Sequence, residues 1–182
     1  QKLIKILDRI EDTCSDITSD SCIIMKEEEK VKIGATALAL LAELYFEKTS
    51  KVDKFFSLRE KLVNTLINSY MPGKGVRNNP NTEDTSPYFD GETWFSLSVY
   101  HSMYPDNEKV SKVLPLLDDT MMKIYGEKYL ISFVHWGMMA ASQRYNTTND
   151  SKFLEFLKKQ FMNLNIHIEK QKYYFDMYIL HL

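Results

Sequence analysis

The chain has 182 residues, 44% of them hydrophobic and 13% aromatic, enough apolar matter for the packed core of about one domain and too much for a disordered segment. Its 23 Lys and Arg face 25 Asp and Glu, so a net charge of -2 supplies no general field for nucleic acid or for an anionic membrane. No apolar run reaches the ~18 residues of a membrane span, and the opening QKLIKILDRI lacks a signal-peptide layout, so a soluble chain is expected, secreted or periplasmic placement and a removed leader staying open.

Residues 2–13 place Leu3, Ile6, Leu7 and Ile10 at helical spacing with charge opposite, which predicts an amphipathic helix. Cys14 and Cys22 flank a polar, turn-like stretch. A bridge in an oxidising compartment and two free thiols are both open, whereas zinc is disfavoured because no His lies near. Residues 22–33 read as two short extended pieces around an acidic turn, a small β-hairpin. The segment 34–46, GATALALLAELYF, is apolar nearly all round and predicts a helix enclosed on every side. From 52 to 69 an amphipathic helix follows, with Phe55, Phe56, Leu58, Leu62, Leu66 and Ile67 on its stripe and Lys54, Arg59, Glu60 and Lys61 off it. The stretch 70–88 carries Pro72, Gly73, Gly75, Pro80 and Pro87 and predicts a long irregular loop of the kind that is often functional.

The alternation then repeats: 91–104 enclosed, 107–125 amphipathic, 130–145 enclosed, 150–165 amphipathic, and a last enclosed helix over 172–182. Aligning the hairpin corners sets Lys54-Phe55, Lys109-Val110 and Lys152-Phe153 in register, an internal repeat of helical hairpins. With KIGATALALLAELY, YFDGETWFSLSVYHSMYPD and FVHWGMMAASQRYNTTND as its inner helices, this pattern resembles the α/α toroid of six-hairpin glycosidases, polysaccharide lyases and epimerases, and terpenoid-cyclase-like proteins. The resemblance implies an all-α arc of about three hairpins with alternating inner and outer helices, in a single domain over 1–182. A closed ring of six would need ~270 residues. The remaining helices are therefore expected from the same polypeptide, a second copy or a partner chain, the more so because an enclosed helix over 172–182 would otherwise expose an apolar edge.

In the same register Ala37, Glu92 and His135 are equivalent, so Glu92 and His135 fall in the first turns of neighbouring inner helices and share one end of the fold with the loop 70–88. Carboxylates for proton transfer, a histidine that titrates near neutrality and flat aromatic faces suit a glycan. The candidate catalytic residues are Glu92, His135, Asp90 and Glu43, the sole charge in its helix, and the candidate stacking wall is Tyr88, Trp94 and Trp136. Structural roles compete for each: an N-cap for Asp90, a helix-dipole partner for Glu92, core positions for the tryptophans, a satisfied buried histidine for His135, and a Lys or Arg partner for Glu43. Asp118 and Asp119 read as a solvated face. His101, His167 and His181 show no ligand spacing, and no metal or cofactor motif is present, so neither is expected. Asn146 and Asn149 open glycosylation sequons at a corner. The rival to a glycan-processing domain is a noncatalytic helical scaffold whose adaptable, Met-rich face binds a protein or peptide.

Overall fold

A computed structural model describes residues 2–24 and 32–179 of the chain, with side chains as far as 170. Helix α1 (Lys2–Asp12) buries only Leu7, and after it β1 (Cys14–Thr18) pairs antiparallel with β2 (Ser21–Ile24). The hairpin thus lies earlier than the sequence suggested. The polar stretch between the cysteines supplies the turn, and Cys14 and Cys22 are disulfide-bonded across it. The acidic turn expected near 26–30 lies outside the described residues.

Three hairpins follow. Helices α2 (Ile33–Ser50) and α3 (Phe56–Ser69) form the first. Two-residue strands β3 (Tyr70–Met71) and β4 (Gly75–Val76) then lead to the second, α4 (Pro87–Met103) with α5 (Glu108–Tyr125), and α6 (Ile131–Thr148) with α7 (Ser151–Ile179) forms the third. Helices α2, α4 and α6 pack side by side, α4 in the middle and buried at every position from Asp90 to Tyr100, while α3, α5 and α7 each back the helix before them. Of the helices expected to be enclosed, α4 is covered as its hydropathy requires, whereas α2 and α6 keep a face open at Leu38 and Tyr45 and at Ile131 and Met139. No helix of the described residues is long and apolar enough to cross a membrane.

The corner register holds in the backbone. Lys51 and Asn149, equivalent positions in the first and third hairpins, are both left-handed (φ 59° and 56°), and each donates its N–H to the carbonyl four residues back, Glu47 and Tyr145, at 2.8 Å. Close approach of α4 and α6 depends on Gly91, where a Cβ would stand 2.7 Å from the Cβ of Trp136.

Four expectations are corrected. Helix α4 begins at Pro87 rather than 91, since proline fits the first helical turn, and Ser86 rather than Asp90 takes the N-cap position. The segment 70–88 is not wholly irregular, because β3 and β4 pair and Arg77 bridges Thr85. Asp118 and Arg59, assigned from the helical pattern to solvated positions, are buried. Finally, 150–165 and 172–182 are not separate helices: α7 runs unbroken to Ile179, since no Gly or Pro interrupts that stretch. The side chains of the expected terminal apolar edge lie outside the described residues.

Candidate functional site

Helix α4 turns three successive residues near its start, Asp90, Gly91 and Glu92, in three directions. Gly91 meets α6 at Trp136, and Glu92 faces α2, where its carboxylate lies against Gly34 so closely that a Cβ there would collide with it. Asp90 points backward to β4 and α5, accepting from Val76 N at 2.6 Å and from the Tyr125 hydroxyl. Burial pushes the Asp90 carboxyl up to about 6, against the opposing pull of these two donors.

The seven candidates therefore separate into two groups. Asp90, Trp94 and Glu43 are enclosed and engaged. Trp94 donates its indole N–H to Asp118 at 2.7 Å and packs against Phe133 and Phe156. Asp118 is clamped in turn by Arg144, whose Nε and a terminal nitrogen lie 2.9 and 2.7 Å from Oδ2. Glu43 binds Arg59 at 3.0 Å, deep between α2 and α3, where burial pushes its carboxyl up to about 7 although the guanidinium opposes this.

Glu92, His135, Tyr88 and Trp136 form the second group, at the N-terminal ends of α4 and α6. Tyr88 and His135 are exposed, with ring centroids 6.3 Å apart, and the His135 ring lies 4.9 Å from that of Trp136, which packs on Phe95 at 6.2 Å. Glu92 is only 8% exposed, and burial raises its pKa. Beside these ends runs the loop after β4. The carbonyl of Asn78 accepts from Ile33 N at 2.9 Å, tying that loop to the start of α2.

Several polar residues of the interior escaped sequence reasoning. Arg59, Arg144, Asp118 and Tyr125 each satisfy a partner on another helix; the helical pattern placed Arg59 and Asp118 at solvated positions and singled out neither Arg144 nor Tyr125. A signal existed for Arg59: a lone Glu43 inside an enclosed helix requires a buried cation nearby. Oxygens of Glu43, Glu47 and Asp53 lie within 4.8 Å of one another, a spacing suited to a cation, but the Arg59 guanidinium bonds all three and supplies that charge itself. Comparison of the chain with protein-family models, with curated proteins and with solved structures found no match.

Proposed function

We propose that this chain is a glycan-processing domain of α/α-toroid type, with its site at the N-terminal ends of α4 and α6. The observation that carries the reading is Glu92, a carboxylate only 8% exposed and raised in pKa by burial, at the same end of the inner row as the exposed rings of Tyr88 and His135. Tyr88 and Trp136 offer the stacking surface, and Trp94 belongs to the core.

With Asp90 and Glu43 engaged elsewhere, the mouth holds one carboxyl group and one imidazole. Hydrolysis by paired carboxyls has lost its second member. The remaining pair suits transfer of a proton from a sugar carbon and its delivery to a leaving oxygen or to the opposite ring face, which is lyase or epimerase chemistry. Such a proton becomes removable next to a carboxyl group whose charge is neutralised by a bound proton or hydrogen bond, so acidic glycans are the substrates to try first.

An oligosaccharide panel with acidic and neutral members tests this. Binding of an acidic member, lost by at least tenfold in Glu92→Gln and in His135→Ala at unchanged urea midpoint, is the expected result. Unchanged affinity in both variants would remove the site. A second reading has its own support: Leu38 and Tyr45 on α2 and Ile131 and Met139 on α6 are exposed apolar side chains of the inner row, as a noncatalytic scaffold for a protein or peptide would present. Selection of apolar peptides that bind wild type but not Leu38→Lys or Met139→Lys would favour it.

A further inference from the structure

At the other end of the inner row, where α3 begins and α4 turns into α5, a cavity of about 330 Å³ opens between Phe56, Glu60, Tyr100, Met103, Tyr104 and Asp106. That volume is at the lower end of the range for small-molecule sites. We propose that this cavity binds a small organic ammonium ion, of the size and charge of choline. The inference is independent of the glycan site.

Two features of the cavity carry the same sign. First, its walls are aromatic: the rings of Tyr100 and Tyr104 lie 4.9 Å apart, and the neighbouring guanidinium of Arg59 sits 4.6 Å over Tyr104 and 5.4 Å over Phe56, so these faces already hold one cation. Second, carboxylates outnumber cations. Arg59 is the only basic residue of the lining and is taken up by Glu43, Glu47 and Asp53, leaving Glu60 and Asp106 on the wall in excess.

The wall is also fixed before any ligand arrives. Tyr100 donates its hydroxyl to Glu60 at 2.7 Å and accepts from Asn107 Nδ2 at 2.9 Å, so neither the ring nor the carboxylate has to be ordered on binding. A neutral ligand of the same shape would gain the apolar contact with Phe56 and Met103 and none of the electrostatic attraction.

Titration with choline chloride, at ionic strength held constant with sodium chloride, tests this by NMR of the tyrosine ring and methionine methyl resonances. Choline should shift Tyr100, Tyr104 and Met103 saturably, and the neutral isostere 3,3-dimethyl-1-butanol should bind at least tenfold more weakly. Glu60→Gln and Phe56→Ala should each weaken choline about fivefold, and Glu92→Gln, at the other end of α4, should not. Asp106→Asn, on the exposed corner, repeats the charge test if Glu60→Gln lowers the urea midpoint. Equal binding of choline and its isostere, shifts that fail to saturate, or affinity indifferent to the Glu60, Asp106 and Phe56 changes would overturn the assignment.

Discussion

Replacing Asp118 by Leu leaves two donors without an acceptor inside the protein. The Arg144 side chain is 6% exposed and would lose both of its close contacts to Oδ2, and the fully buried Trp94 would lose its 2.7 Å bond. An orphaned buried charge costs about 3–5 kcal/mol. An orphaned indole N–H adds about 1–3 kcal/mol. Together these approach half the total stability of an ordinary domain, ~5–15 kcal/mol. Arg144→Met alone should cost about 3 kcal/mol, since Asp118 keeps Trp94 and is already displaced toward its neutral form by burial. The double variant removes both charges and leaves only the indole unpaired, a cost of about 1–3 kcal/mol. Urea denaturation of the four proteins gives the coupling energy, which should be about 3 kcal/mol or more in favour of the pair. A cycle that closes additively, with coupling under about 0.5 kcal/mol, would refute the view that Asp118 and Arg144 are held in the core by one another.

Acidification should stabilise the domain. Burial raises Glu43 from 4.5 to about 7 and Asp90 from 3.8 to about 6, so the folded protein binds more protons than the unfolded chain across those windows; the gain is complete near pH 4 and is lost as pH rises through 6 and 7. Urea midpoints at pH 5 and pH 8 measure it, and the difference should shrink in Glu43→Gln; midpoints that rise toward pH 8 contradict the sign. The disulfide closes a short loop between Cys14 and Cys22, eight residues apart in sequence, so Cys14→Ser with Cys22→Ser should lose about 2 kcal/mol and speed hydrogen exchange in β1 and β2 first. Gly91→Ala should cost about 1–3 kcal/mol by forcing α4 from α6 at Trp136, and a thermal melt unchanged from wild type would show that this approach relaxes freely.

What sequence could show here depended on where each residue's partner lies. Enclosure of α4 is written into local hydropathy, whereas α2 and α6, apolar enough to suggest the same, keep a face open at Leu38 and Tyr45 and at Ile131 and Met139; the αL corners at Lys51 and Asn149 fall at equivalent positions of the repeat. The register makes Glu92 and His135 equivalent, but because α4 begins at Pro87 and α6 at Ile131 both lie in the second turn of their helices rather than the first. The N-cap role open to Asp90 in sequence falls to Ser86, and its actual partners, Val76 and Tyr125, come from a strand and a helix that no local pattern ties to it. Asp118 looked like half of a solvated acidic pair, yet one helical step separates it from Asp119, enough to turn one carboxylate to Arg144 and the other to Lys152 at the surface. The choline-sized cavity was invisible for the same reason: Glu60 and Tyr100 meet only through packing.

Repeats of helical hairpins usually unfold piecewise, each unit held to the next by one interface of modest strength. The connection between the first two hairpins here is more than a tether. Its Asn78 carbonyl holds the first turn of α2, while its Val76 amide is gripped by Asp90 of α4, which also takes the Tyr125 hydroxyl of α5. Opening either hairpin therefore breaks contacts belonging to the other, and the boundary energy between these neighbours is raised above what helix packing alone provides. The first two hairpins should therefore melt together rather than in turn, and a nearest-neighbour description of this chain needs a coupling there larger than helix packing alone supplies.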